Sequence, residues 1–189
     1  EEGTLLFDGG PLSPNDTPIQ RRERGIVTIY QEFNLLPALT VAENMYIGRE
    51  PLRHGLIHWS EMYVRAQEVL SDLKIDLDPR AQVRMLSVAK QQMVEIAKAM
   101  TVQARLIVMD EPTAALSGRE VSQLLDIIRD LRARGIAIIY VSHKLTEVKT
   151  ICDRYTVFRD GRYVTTGAIA DVSVNELVRQ MVGRDVETL

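Results

Sequence analysis

Hydrophobic positions along the chain fall first into short runs, then into helical stripes, and then into an alternation of the two. Residues 4–7 predict a short strand and Asp8-Gly9-Gly10-Pro11 a turn. A polar, charged loop is expected from there through Glu23. The β-branched run over residues 25–31 predicts a second strand, broken by Leu35-Leu36-Pro37. Thr40 and Glu43 have the spacing of a capping box and open a short helix through Met45. From Gly48 to Trp59, with Pro51 and Gly55, the chain is expected to be irregular. Ser60 is placed as the cap of a helix whose inward stripe is Met62, Ala66, Val69, Leu70 and Leu73. A linker around Pro79 follows, and Ser87 opens a helix with Met93, Ile96, Ala97 and Met100 on one face.

Strand and helix then alternate. Residues 106–109 predict a strand. Ser117 and Glu120 form a second capping box, for a helix with Val121, Leu124, Leu125, Ile128 and Leu131 inward and Gly135 at its end. Residues 136–142 have almost no polar alternation and predict a strand buried on both faces, as parallel sheets require. A short helix is expected over residues 145–151. Residues 155–158 and 163–166 flank Asp160-Gly161-Arg162 as a hairpin. Ser173 with Glu176 caps a last helix carrying Leu177, Val178 and Met181. The pattern is an α/β fold: a β-rich N-terminal piece, an all-helical insert over residues 33–104, and a core built from residues 1–32 and 105–189.

Composition narrows the function classes. The chain has 189 residues, 46% of them hydrophobic and 26% charged, as a folded globular chain has. A net charge of −3 gives no electrostatic case for nucleic acid, where a basic stripe would be expected. The single cysteine, Cys152, excludes an internal disulfide and suits a reducing compartment. No apolar run approaches the roughly 20 residues of a membrane span. The opening Glu-Glu-Gly-Thr-Leu-Leu is neither a signal peptide nor a start codon's product, and is expected to be the interior of a longer chain.

Candidate chemistry sits where strands end. Asp110 and Glu111 follow an apolar strand directly and precede Pro112. Two uncompensated carboxylates at the rim of a buried sheet repel each other and resist desolvation. A bound cation and a polarised water would justify both, and ligands of α/β sheets sit at the carboxyl ends of strands. For an Asp-Glu pair taken alone, capping of the next helix or plain solvation is the favoured explanation. His143 also follows a strand, as a candidate acid or base or as a polar loop residue. Gln31 leaves the strand over 25–31 and can ligate a cation or hydrogen-bond a loop. Ser87 stands at a helix N-terminus, where free N–H groups favour a phosphate, or where it is only an N-cap.

Taken in order, the glutamine after a strand, the helical insert, Leu86-Ser87 with Gln91-Gln92 opening a helix, the strand ending Asp110-Glu111-Pro112 and the strand ending Ser142-His143 resemble the nucleotide-binding domain of ATP-binding cassette (ABC) proteins. The resemblance runs along almost the whole chain and implies a P-loop NTPase-like core with a mostly parallel sheet. It implies ATP and Mg²⁺ as cofactors. Asp110 would hold Mg²⁺ through its water shell. Glu111 would polarise the water that attacks the γ-phosphate. Gln31 would contact Mg²⁺ and that water and sense a membrane partner, and His143 would contact the γ-phosphate. Such roles fit phosphoryl transfer, where catalysis is mainly positioning and charge stabilisation.

Leu86-Ser87-Val88-Ala89-Lys90 stands where the family has Leu-Ser-Gly-Gly-Gln, so Ser87, Val88, Ala89, Lys90 and Gln91 become the candidates for gripping ATP held by a second cassette. No G-x-x-x-x-G-K-[ST] stretch occurs in the 189 residues. The expectation is therefore poor ATP binding and negligible hydrolysis by these residues alone, and exposed, self-associating sheet edges on residues 106–109 and 136–141. Residues 30–51 and 86–100 look most like the ATPases of ribose, xylose, arabinose or galactose importers, which carry two cassettes in tandem, and residues 181–189 resemble the junction after the first. The implied partners are an integral-membrane sugar permease, docking on residues 32–45, a second cassette in tandem or as a dimer, and, indirectly, a periplasmic sugar-binding protein. The implied location is the cytoplasmic face of the inner membrane. Two alternatives stand beside this: an ABC ATPase outside transport, and a non-catalytic module that only binds partners or itself.

Overall fold

The computed structural model describes residues 3–183. The chain forms two compact units, Glu1–Ile139 and Tyr140–Leu189. The first begins with a hairpin of β1 (Leu5–Phe7) and β2 (Gly10–Leu12), in which Phe7 pairs with Gly10. Its turn is Asp8-Gly9, with φ of 52° and 76°. Positive φ at both positions matches the twist of a tight hairpin, so Gly10 and Pro11 belong to the second strand rather than to the turn.

The expected loop before Glu23 contains a helix, α1 (Pro18–Glu23). Thr17 is its N-cap, Pro18 supplies a preset φ in the first turn, and Gln20 reaches back to the Thr17 N–H at 2.8 Å. The charged composition hid a capping box whose letters, Thr-Pro-x-Gln, were present.

β3 (Ile26–Ile29) pairs in parallel with β6 (Leu106–Asp110), from Ile26 opposite Leu106 to Ile29 opposite Met109. Gly25 starts this ladder. Its carbonyl accepts from the N–H groups of Arg105 and Leu106 at 2.8 and 3.0 Å, its φ is +86°, and an added Cβ would meet Arg105 Cγ at 3.0 Å.

Between these two strands lies the helical insert. α2 (Val41–Tyr46) carries the expected capping box: Glu43 Oε2 accepts from the Thr40 N–H at 2.8 Å and from its hydroxyl at 2.6 Å. A two-rung hairpin, β4 (Leu52–Arg53) with β5 (Leu56–Ile57), occupies the stretch expected to be irregular. α3 (Trp59–Asp72) starts at Trp59, with His58 rather than Ser60 as N-cap, and buries Met62, Ala66 and Leu70. α4 (Val88–Met100) packs against α2, α3 and β3. It is buried on more than its expected face: Ala89, Gln92, Val94, Glu95 and Ala99 are buried along with Met93, Ile96 and Ala97.

α5 (Gly118–Ala133) follows β6 with Leu124, Leu125, Ile128 and Leu131 buried as its periodicity requires, and Gly135 after it has φ of 84°. β7 (Ala137–Val141) lies beside β6, giving the order β3-β6-β7. β6 is therefore interior to the sheet, with Ile107 and Met109 fully buried, and is not an exposed edge as expected. β7, like β3, is an edge of this sheet among the described residues, and it is not the doubly buried strand its apolar run predicts: Ile139 and Val141 are 49% and 45% exposed.

The second unit has its own small core of Val157, Ile169, Val172 and Leu177. α6 (Leu145–Ile151), the hairpin of β8 (Arg154–Arg159) and β9 (Arg162–Ala168), and α7 (Val174–Val182) enclose it. Lys149 Nζ donates to the carbonyls of Ile169 and Val172 at 2.6 and 2.7 Å, tying α6 to the turn before α7. Ser173 caps α7 as expected, and Gly183, in the left-handed region at φ 80°, ends it. Most of the run 181–189 lies outside the described residues.

Candidate functional site

The parallel ladder decides which ends of the strands meet. Ile29 and Met109 form its last rung, so Tyr30-Gln31 and Asp110-Glu111 leave the sheet side by side at the carboxyl rim. Adjacent strands are about 4.8 Å apart, which brings the glutamine and the two acids into one neighbourhood. Asp110, the last residue of β6, is half-buried. Glu111 is half-buried too, but its φ is +49°. That left-handed turn costs a non-glycine residue about 1–2 kcal/mol and directs the second carboxylate away from the strand's alternation. Beyond it, Ala114 N–H bonds to the Glu111 carbonyl at 3.1 Å and Leu116 N–H to the Thr113 carbonyl at 3.2 Å, so the chain coils tightly toward α5. Gln31 is exposed.

His143 lies in the second unit, exposed, between the end of β7 and α6. Beside it, Ser142 Oγ accepts the Lys144 N–H at 3.0 Å, and Tyr140 donates its hydroxyl to Glu147 Oε2 at 2.7 Å. These bonds fix the turn from β7 into α6.

Ser87 to Gln91 form the first turn of α4. Ser87 Oγ accepts the Lys90 N–H at 3.4 Å, so the serine is an N-cap, and its residue is exposed. Ala89 is 7% exposed and faces inward, while Val88 at 42% and Lys90 face outward. Gln91 Nε2 donates to the Leu86 carbonyl at 3.0 Å and closes the entry to the helix. α4 is 13 residues long, about 20 Å, and its far end leads back to β6. The Ser87 turn is thus an exposed, N-capped helix start.

The donor set at that rim is an amide oxygen and carboxylate oxygens, the hard ligands Mg²⁺ selects. Among the described residues no three His, Cys, Asp or Glu side chains cluster closely enough to cage a metal by themselves. Mg²⁺ commonly binds through one or two carboxylates and the phosphates of its nucleotide, so the donor set fits that cation in company with a nucleotide.

The family model described as ABC transporter matches residues 1–114, more than half of the chain and all of the rim. The chain belongs to the ABC transporter family. Among its relatives, it is 52% identical over 185 residues to the ribose import ATP-binding protein RbsA 1 of Rubrobacter xylanophilus, covering 98% of this chain and 37% of that protein. It is 49% identical over 187 residues to a protein named for ribose/galactose/methyl galactoside import ATP binding in Agrobacterium fabrum, covering 98% of this chain and 36% of that one. The chain thus spans little more than a third of the length of these relatives. Among solved structures it resembles the ADP conformation of MJ1267, an ATP-binding cassette of an ABC transporter, with a TM-score of 0.78 and 25% identity over 97% of this chain and 78% of the other. The dimeric cassette MJ0796 bound to ADP and phosphate shares the fold, with a TM-score of 0.73 and 24% identity over 89% of this chain and 74% of the other. The α/β cassette fold expected from the order of motifs is the fold observed.

Sequence reasoning missed the side chains that hold the segment after Gln31. Glu95 and Asn44 are 8% and 1% exposed, and both bond to that segment's backbone. The signal was there: a lone glutamate amid Met93-Val94 and Ile96-Ala97 on a buried helix face.

Proposed function

We propose that this chain is the ATP-binding and ATP-hydrolysing part of a subunit that energises monosaccharide import across the bacterial inner membrane. The observation that carries the reading is the register of β3 on β6, which sets Gln31 and the Asp110-Glu111 pair at one rim. The relatives named for ribose and galactose import support the substrate class. Residues 1–32 and 105–189 are the ATPase core, and residues 33–104 the helical subdomain.

Asp110, through the water shell, and Gln31, through its amide oxygen, would hold Mg²⁺. The cation, when bound, neutralises charge on the transferring phosphoryl group. Glu111 orients the attacking water and takes up its proton, a step that needs a carboxylate aimed apart from the metal ligand. His143 donates to the γ-phosphate. Ser87, Val88, Ala89, Lys90 and Gln91 present the N-terminal turn of α4 to ATP held by a second cassette, in tandem or as a dimer. An integral-membrane sugar permease docks on residues 32–45, where Leu36 is 48% exposed while Leu35 is buried in the core. A periplasmic sugar-binding protein acts through that permease. The subunit is cytoplasmic and peripheral to the membrane; among the described residues no helix is long and apolar enough to cross one.

A second reading, a non-catalytic module that binds partners or itself, is favoured by one observation: β7 presents Ile139 and Val141 half-exposed at an edge of the sheet. Mg²⁺-dependent ATP turnover separates the two, measured on the full-length polypeptide with its permease and on the 189-residue chain alone. The transport reading expects turnover in the first and almost none in the second. Absence of turnover in both leaves the module reading standing.

A further inference from the structure

Residues 33–36 have no ladder partner, yet Asn34 and Leu36 each have both their N–H and their carbonyl held by side chains. The Asn34 N–H donates to Glu95 Oε1 at 2.8 Å, and the Asn34 carbonyl accepts from Lys98 Nζ at 3.0 Å. Two residues on, the Leu36 N–H donates to Asn44 Oδ1 at 2.7 Å and the Leu36 carbonyl accepts from Asn44 Nδ2 at 3.0 Å. In an extended chain, residues i and i+2 turn their N–H and C=O to the same edge, the edge a neighbouring strand would pair. Side chains from two helices do that pairing here. Leu35, between the two gripped residues, is 8% exposed and locks the segment into the core.

Glu95 and Lys98 lie one turn apart on the same side of α4, the spacing that lets two side chains act as a single clasp. Three residues before Asn34 stands Gln31, and two turns before Glu95 stands Ser87. Glu95 is 8% exposed, and an ionised carboxylate is costly to bury. An aliphatic side chain would fill the space more cheaply but could not hold a peptide N–H.

We propose that Glu95 and Lys98 are positioning residues: by holding the N–H and the carbonyl of Asn34 they fix the segment that follows Gln31, and with it the place of Gln31 at the rim. The inference rests on the reading of Gln31 as a ligand of Mg²⁺ and the attacking water. Clasp and rim belong to the same compact unit, and only residues 30–33 separate Asn34 from the end of β3.

The test compares Glu95→Ala, Glu95→Gln, Lys98→Met and Gln31→Ala in the full-length ATPase with its permease, reading kcat and KM for Mg-ATP together with amide hydrogen exchange over residues 31–36. Glu95→Ala is expected to raise exchange there and lower kcat about tenfold while KM stays within about twofold, because a misplaced group costs rate more than binding. Glu95→Gln keeps the acceptor oxygen and should recover most of the rate, which a general loss of stability would not do. Lys98→Met should fall between them and carries the test if Glu95→Ala does not fold. Faster exchange with unchanged kcat in Glu95→Ala or Lys98→Met, alongside a large loss in Gln31→Ala, overturns the clasp and leaves the functional reading intact. No loss in Gln31→Ala overturns the reading of Gln31, and the clasp's role with it.

Discussion

Glu111 combines two costs at one residue, a left-handed backbone and a half-buried acid, directly after another acid. A function that needs two carboxylates with different aims accounts for both. Glu111→Gln preserves the shape and one acceptor oxygen and removes the base. In the full-length ATPase it should lower turnover by about 100-fold or more, with little change in thermal stability, as steady-state kinetics beside a melting curve would show. Glu95 gives the pH prediction. Burial pushes its carboxyl above the ordinary range, against the pull of Lys98 and the Asn34 N–H. The folded state therefore holds the proton to higher pH than the unfolded state does. The stability that the protonated group contributes is complete below the unfolded pKa and is lost as pH rises through the folded one. Glu95→Gln should accordingly gain stability relative to the parent as pH rises through and above the carboxylate range, and the gap should close toward lower pH. Paired denaturant titrations across that window measure it.

Helix caps were the most legible elements, because a capping box is chemistry between residues three apart. Thr40 with Glu43, Ser117 with Glu120 and Ser173 all do what their spacing predicts. Thr40→Ala removes a hydroxyl that bonds Glu43 and caps its N–H, and should cost about 1 kcal/mol in an equilibrium unfolding experiment. α1 carries the same local grammar in Thr17-Pro18-Ile19-Gln20, but its charged surroundings suggested a loop and no apolar stripe marked it. α4 was legible as a helix but not in its burial: Glu95 and Gln92 are polar residues on faces that tertiary packing covers, and periodicity cannot tell a covered polar face from a wet one. β7 shows the opposite error. Its run of apolar residues suits two covered faces, yet the folded strand leaves Ile139 and Val141 half in water, since coverage depends on neighbours that no local pattern encodes.

Across the molecule, the carboxyl rim was legible because the order of motifs along the chain fixes which strand ends carry acids and which carries the amide, and the observed register then sets β3 beside β6. The clasp on Asn34 was not, since its partners are 61 and 64 residues away in sequence. β7, at the margin of the described sheet with exposed apolar side chains, is a surface on which a strand from another molecule could add. The 189-residue chain should therefore self-associate with rising concentration, and Ile139→Lys should shift it toward monomer in sedimentation velocity, because a charge on an edge strand opposes such pairing.

Gly25 sets the origin from which the whole rim is measured. Its bare backbone lets Arg105 close in and starts the count of rungs that ends at Ile29 and Met109. A side chain there would have to adopt φ of +86° and push Arg105 aside, and any slip in the count would carry Gln31 out of step with Asp110 at the opposite end of the strands. A glycine at the far end of the strands from the acids is thus expected to be as intolerant of replacement as the acids themselves.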